Sequence, residues 1–280
     1  MDSQSVRKPA VAGSFYPKNQ VELRKMVTWF IENAEVDDKA CRKAVGFVAP
    51  HAGYVYSGKT AGYTYKALSA RLKECKVETF VVIGPNHTGY GTALSISGED
   101  WMTPLGTVKN DLEFSSQLAE YSNLFTMEEE AHAAEHAVEV QLPFIQCVVE
   151  RPRCVFICMG DQSYKYSEIL SKAVFDVEKK TGREIAIIAS SDFNHYEPEE
   201  VARRKDMPAI EALEKLDVKG FVERIDTLED TVCGYGPIAA TALYAKAKSA
   251  KKGKLLKYSN SGETTRDYQS VVSYASLVFE

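Results

Sequence analysis

The stretch VGFVAPHAGYVYSG, residues 45–58, begins as a buried strand and stops abruptly. Val45, Phe47 and Val48 call for apolar cover, Pro50 cannot donate to a strand ladder, and His51 follows at once. Three further runs read the same way: FVVIG (80–84), CVFICMG (154–160) and IAIIAS (185–190). Each is apolar on successive residues, the pattern of a strand covered on both faces of a parallel sheet. Working outward, strands are expected at 44–49, 78–84, 93–97, 154–159, 184–189, 254–259 and 270–279. Helices are expected between them at 59–73, 111–121, 136–149, 166–180, 198–216, 219–225 and 237–247. Asn110-Asp111 offers a start signal for one helix and Gly182 a stop signal for another. The last strand partly alternates and is expected at an edge or in an antiparallel pair. The alternation of strand and helix predicts an α/β fold, a three-layer α/β/α sandwich with a mostly parallel, mixed central sheet, organised as one domain over 1–280.

Composition excludes several functions. The chain of 280 residues is 45% hydrophobic and 26% charged, with a net charge of −5. An acidic balance argues against nucleic acid as the main partner, because phosphate binding needs a basic face. The one basic run, KAKSAKKGK (246–254), reads as a helix end running into a turn on a solvated surface. The apolar runs are of strand length, far short of the ~20 residues that span a bilayer, so no membrane partner is expected. The N-terminal stretch lacks the apolar core of a signal peptide. The six cysteines form no CxxC pair and no framework spacing, which points to reduced thiols and a cytoplasmic setting.

In open α/β sheets, ligands bind beyond the carboxyl ends of the strands. Three of the five histidines fall there: His51 after VGFVAP, His87 after FVVIGPN and His195 after IAIIASSDFN. A single histidine reads most simply as a hydrogen-bonded residue of core or surface. Three at equivalent topological positions point to a metal site, since imidazole is both a common metal ligand and a general base near neutral pH. His132 and His136 lie four apart in AHAAEHAVEVQLPF and share a face if that segment is helical, although Pro143 can end the helix early. His132 is assigned to the surface.

Two histidines and one anionic group leave open positions, as in non-haem iron(II) oxygenases. The anion best placed late in the chain is Cys233, in TVCGYGPIAATALYAKA, where a Gly-rich loop enters a helix whose amide groups favour a thiolate. It is either a ligand or reactive thiolate, or a buried inert thiol; Cys154 and Cys158, inside a strand, are structural. Asp192 and Asn194 are placed to orient His195. Glu135 and Glu139 flank His136, either as its hydrogen-bonding support or as a solvated helix face. Tyr54, Tyr56 and Tyr16 either line a pocket or pack, and Trp101 lies in a hairpin or turn, with a lid as the sharper reading.

The segments KPAVAGSFYP, APHAGYVYSG, GPNHTG, WMTPLGTV, EHAVEVQLPF, SSDFNHY and VCGYGPI together resemble the Memo family, component B of the AmmeMemoRadiSam system. They run in the family's order from Lys8 to the C-terminal region. The resemblance implies a fold similar to class III extradiol ring-cleaving dioxygenases, in which two histidines and a glutamate hold iron(II) and a further histidine acts as acid/base. On that likeness His51 and His87 match the histidine ligands, and Cys233 stands where those enzymes offer the carboxylate. His195 matches the remaining histidine, as further ligand or base. Pocket support is expected from Asp192, Asn194, His136, Glu135 and Tyr54. Iron(II) is the expected ion, with copper and zinc as alternatives, and a small molecule or peptide the expected ligand. The resemblance also implies association with a radical-SAM protein and an AMMECR-type protein. The competing class of function is a non-catalytic adaptor that keeps an ancestral pocket, since eukaryotic relatives are linked to motility signalling and phosphotyrosine-peptide binding.

Overall fold

The computed structural model describes residues 5–280. In chain order its strands are β1 (Val6–Arg7), β2 (Gly46–Ala49), β3 (Thr79–Pro85), β4 (Leu94–Ile96), β5 (Asp100–Thr103) and β6 (Gly106–Asn110). They continue as β7 (Phe125–Met127), β8 (Arg153–Met159), β9 (Ile185–Ser190), β10 (His195–Glu197), β11 (Gly253–Asn260) and β12 (Val271–Phe279). One mixed sheet runs β1-β5-β6-β8-β3-β9-β2-β12-β10, with β11 paired to β12 and β4 joining β7 to β8. Its centre, β8-β3-β9-β2, is entirely parallel. All seven expected strands are present. The C-terminal strand β12 does pair antiparallel, with β2, β10 and β11, and therefore lies inside the sheet.

The central strands are apolar throughout because each pleat is covered twice. Phe80 and Val82 enter one hydrophobic cluster, and their neighbours Val81 and Ile83 enter the opposite one. Ala186 and Ile188 divide from Ile185 and Ile187 in the same way. The first face is covered by α1 (Gln20–Glu32), α3 (Tyr54–Leu72) and α5 (Leu142–Val148), with the short α2 (Asp38–Cys41) beside α3. The second is covered by α4 (Leu112–Ala119), α6 (Tyr164–Thr181), α7 (Glu199–Glu214), α8 (Val218–Thr227) and α9 (Tyr235–Ala247). A last turn, α10 (Gly262–Thr265), packs against α3. The start and stop signals act as read: Asp111 caps α4 by accepting from Phe114 N–H, and Gly182 closes α6 at φ +68°.

Two expectations need correction, and one long helix lies outside those expected. α3 begins at Tyr54 rather than near residue 59, so the Gly-rich stretch after His51 is already helical. Within it Gly58 and Gly62 face α1: a Cβ at either would fall 2.4 Å from Phe30, and its absence lets the two helices touch. His136 does not start a helix; a 3₁₀ turn begins at Glu139 and α5 only at Leu142. Pro143 lies in the first turn of α5, where its missing N–H costs nothing, and so begins the helix instead of ending it. Finally, α1 carried a signal that went unread, Leu23, Val27, Phe30 and Ile31 on one face behind the N-cap Asn19. Among the described residues no helix is long and apolar enough to cross a membrane.

Candidate metal centre

β3, β9 and β2 are consecutive in the sheet, so the residues beyond their carboxyl ends meet. His51 follows β2 directly and is buried. Its Nδ1 lies 3.0 Å from Ser190 Oγ, at the end of β9. The Ser190 hydroxyl spends its one proton on Ala137 O (2.6 Å) and accepts from Gln141 Nε2 (2.7 Å). Imidazole Nδ1 must therefore donate, which leaves Nε2 bare. Burial, and then the neighbouring His136 and His87, push the His51 pKa well below the ordinary range, so the ring is neutral.

His87 is fixed by the same device with a different acceptor. Its Nδ1 donates to Glu135 Oε1 (2.9 Å) and its backbone N–H to Glu135 Oε2 (2.6 Å). Burial alone would raise the Glu135 pKa, but the hydrogen bonds from His87 and the N–H of Ala137 bring it down to about 2. Glu135 Oε1 also accepts from the N–H of His136 and of Ala137. One carboxylate thus orients two histidines, the kind of outer support that metal-ligating imidazoles need. The His136 ring stacks on His87 at 4.7 Å and is backed by Phe15 at 4.6 Å. One ring nitrogen from each of His51, His87 and His136 lies within 4.8 Å of the others, a group that can hold a metal ion.

Cys233 lies outside that group of three but touches it, with Sγ 3.1 Å from His51 Nε2. Since Nε2 is the acceptor, the thiol donates to it. Burial first, and then the Asp192 carboxylate, push the Cys233 thiol up, so that without a metal the start of α9 holds a thiol and no thiolate. The N–H of Asp192 does donate to Sγ at 3.3 Å, but it is outweighed. Without a cation, the pair is a neutral thiol facing a neutral imidazole.

Asp192 and Asn194 do not orient the His195 ring, contrary to expectation. Asp192 Oδ1 accepts from the backbone N–H of His51 (2.8 Å) and Ala52 (3.3 Å), and burial raises its pKa to about 6. Asn194 donates to Asp230 (2.8 Å) and Glu197 (2.7 Å). His195 Nδ1 instead donates to Thr231 O (2.9 Å), leaving its Nε2 free at a partly exposed ring. Tyr196 beside it is held at φ +63°, a left-handed conformation that a tyrosine adopts only under constraint, and its ring is exposed. Tyr54 is buried, with its hydroxyl on Val140 O (2.5 Å), and supports the wall without lining the opening.

A second layer lies behind this one, and it uses Glu139 as a buried anchor where the sequence left support and solvated face open. Glu139 is fully buried and accepts from Arg7 Nη1 (2.6 Å), Ala10 N–H (2.8 Å), Val11 N–H (3.1 Å) and Tyr16 OH (2.5 Å). Arg7 also donates to the carbonyls of His132 (2.7 Å) and Glu135 (2.7 Å) and lies 4.0 Å over the Trp101 ring. The segment 7–16 is thereby strapped to the segment carrying His136. Trp101 occupies the predicted hairpin, β5–β6, but is wholly buried and so is no lid. His132 is buried beside it, not on the surface, because Arg7 and Trp101 cover it.

Comparison with known proteins follows this geometry. The profile described as a Memo-like protein matches residues 7–278. A MEMO1 family protein of Methanopyrus kandleri is 42% identical over 282 residues, covering 98% of each chain. A MEMO1 family protein of Methanosarcina barkeri is 41% identical, covering 98% of this chain and all of its own. The crystal structure of an uncharacterised Escherichia coli K12 protein superposes with a TM-score of 0.51 at 11% identity, covering 83% of this chain and 99% of that one. That last likeness speaks for the fold alone.

Proposed function

This chain belongs to the Memo family, and from that membership and the geometry of its histidine pocket we propose a metal-dependent redox enzyme. The observation that carries the reading is the fixing of two tautomers: Ser190 and Glu135 occupy Nδ1 of His51 and His87, so both rings turn bare Nε2 atoms to the pocket. His136 completes a three-nitrogen set, and Cys233 stands against His51 as the thiol that a cation would convert to thiolate. Such N and S donors suit iron(II), copper and zinc. Iron(II) is the ion proposed here, with His51, His87 and Cys233 as ligands and His136 as pocket wall or replacement donor. When bound, iron(II) would supply open coordination positions for O₂ and an oxidisable substrate.

The chain's own groups provide the rest. His195, anchored through Nδ1 to Thr231 O, presents Nε2 as the proton acceptor and donor. Asp192 holds the His51 turn through two backbone N–H groups, so the ligand does not swing.

The second reading, a pocket that binds without turnover, draws on the exposed rings of Tyr90, in the loop after His87, and Tyr196, in β10 beside His195. Anaerobic loading with iron(II), metal analysis and oxygen uptake with a panel of catechols separate the two. Near-stoichiometric iron in the wild type, its loss in His51→Ala and His87→Ala, and turnover lost in His195→Ala are the expected results. Full iron content in both ligand variants sinks the metal reading; iron that is bound but inert with every substrate favours the second. Loading of Cys233→Ser against His136→Ala identifies the third donor.

A further inference from the structure

Two buried carboxyl groups lie outside the histidine pocket and have no part in the chemistry above. Asp206, on α7, and Asp230, in the segment between α8 and Cys233, are both buried. Asp206 Oδ2 accepts from Tyr258 OH of β11 (2.6 Å) and Ser273 OH of β12 (2.5 Å), and its Oδ1 accepts from Asn194 N–H (3.2 Å). Asp230 Oδ1 accepts from Asn194 Nδ2 (2.8 Å) and Thr231 N–H (2.9 Å). Among the described residues Asp230 Oδ2 and Asn194 Oδ1 are buried without a hydrogen-bond partner, and the Asp206 and Asp230 carboxyl groups, both bound to Asn194, are electrostatic neighbours. Two carboxyl groups so placed cannot both ionise without strong repulsion. One must keep a proton, and the unpartnered Asp230 Oδ2 marks where a donor is missing.

The position of the pair matters as much as its chemistry. Asn194, between the two carboxyl groups, is the residue before His195. Thr231, held by Asp230, receives both the backbone N–H of His195 on its Oγ1 (2.7 Å) and the His195 ring on its carbonyl. Cys233 follows two residues later. We propose that Asp206 and Asp230 share a single proton, and that this proton latches together the two segments that carry His195 and Cys233. The pair are positioning residues for the site; their bearing on chemistry rests on the metal reading given above.

The surroundings offer no substitute for the proton. Lys205 is the nearby cation of α7, but it is engaged with Glu197 Oε1 (2.9 Å) and Glu229 O (3.0 Å). Glu197 in turn takes Asn194 Nδ2, with Arg204 as a further charge near it. Arg203 lies over the Tyr258 ring at 5.4 Å, behind the hydroxyl that faces Asp206. Burial first, and then the Asp230 charge, raise the Asp206 pKa to about 8; burial likewise raises that of Asp230. An unfolded aspartic acid titrates near 4, so between about pH 4 and pH 8 the folded chain holds a proton that the unfolded chain has lost. The latch therefore stabilises the fold most at the acid end of that window and weakens as pH rises through it.

Asp230→Asn tests this, because its amide replaces the shared proton with a permanent donor. The full chain, free of metal, is compared with wild type at about pH 6 and about pH 9 by thermal unfolding and by mass-spectrometric alkylation of Cys233. The wild-type midpoint is expected to fall by about 3 °C or more relative to the variant. Cys233 labelling, divided by that of the variant at the same pH to cancel thiol ionisation, is expected to rise on the order of tenfold. Identical pH profiles in wild type and variant, in both readouts, overturn the proposal. Asp206→Asn, which also removes one of the two carboxyl groups, is expected to lose the pH dependence as Asp230→Asn does. It does so at a cost in stability, because both Asp206 oxygens accept hydrogen bonds, and it keeps the test alive should the first variant not fold. Neither readout uses metal, so failure of the metal reading and failure of the latch are separate outcomes.

Discussion

At the carboxyl edge of β2, β3 and β9 the histidines stand over carboxylates, Glu135 and Glu139, whose side chains are wholly shielded from solvent. The amino edge of the same sheet opens a much larger cavity, about 1050 Å³, yet most of the charges at its rim, Arg183 excepted, are paired in water. Lys73 and Asp38 are about half exposed, and Arg151 and Glu150 nearly fully so. The larger volume and the candidate site therefore lie at opposite ends of the same strands. A charged group in solvent is screened and adaptable, and it contributes little to a defined geometry. A buried carboxylate must have its donors placed around it, and those donors fix the rings and segments to which they belong. The smaller, drier edge is the one built to hold atoms in place, and substitutions at the two edges should separate accordingly.

The largest effect is expected from Glu139→Ala. It leaves the Arg7 guanidinium buried without its carboxylate and removes the acceptor for Ala10 N–H, Val11 N–H and Tyr16 OH. Losing one partner of such a buried pair costs about 3–5 kcal/mol. Urea unfolding measures it, and Glu139→Gln, which keeps an acceptor, should recover part of the loss. Because the strap also holds the segment carrying His136, iron loading should fall with stability. A loss below about 1 kcal/mol would place this carboxylate with the exposed pairs.

Gly84→Ala probes the same edge through shape alone. A Cβ there would lie 2.9 Å from Ala137 Cβ and 3.1 Å from Val138 Cγ2. The segment after His136 must move, and with it the Ala137 carbonyl that takes the Ser190 proton and so sets the His51 tautomer. Overpacking of this kind costs up to about 3 kcal/mol. Metal affinity should drop by more than the stability loss alone explains, as read by titration with iron(II) under conditions where the variant is fully folded. Unchanged affinity would detach the Ser190 relay from the site.

How much of this was legible in the chain follows the same division. The doubly covered strands announce themselves because every residue in FVVIG and IAIIA must be apolar, and His51, His87 and His195 stand out because strand ends are where such sheets place chemistry. Glu135 was noticed for its nearness to His136, but its grip on His87 spans 48 residues and left no local trace. Glu139 stands out only for its nearness to His136; its partner Arg7, 132 residues away, looks like an ordinary surface charge until the fold buries both. The His136 segment misled because AVEVQLPF has apolar residues at spacings that suit a helix or an extended strap equally well. Ser190 and Gln141, which settle the His51 tautomer, are polar residues at the ends of apolar runs, a signal that becomes informative only once the sheet order is known.

Arg183→Ala moves the comparison to the amino edge. Arg183 pairs with Asp111, which is buried and also takes the Thr79 hydroxyl, and with the exposed Glu113. Losing a hydrogen bond to a charged, mostly buried partner costs about 1.5–3 kcal/mol, and the remaining donors to Asp111 favour the lower end. Iron content should be unchanged, since β9 begins at this edge and delivers its functional residues at the other. Iron loss without unfolding would mean that strain travels the length of the strand.

The smallest effect is expected at the rim of the large cavity. Lys73 Nζ meets Asp38 Oδ2 at 3.1 Å, with both side chains in contact with solvent. Such a pair is screened by salt and gives back in side-chain entropy most of what it gains in Coulomb energy, so Lys73→Ala should shift stability by less than about 0.5 kcal/mol. Denaturant titration at low and high salt checks this, with the small difference vanishing at high salt. Iron loading should match wild type in Lys73→Ala and in the double variant with Arg151→Ala, because no hydrogen bond joins either side chain to Glu135, Ser190 or the three histidines. Should the double variant lose its iron while remaining folded, the amino-edge cavity would be part of the site, and the division between a wide, wet edge and a narrow, dry one would fail.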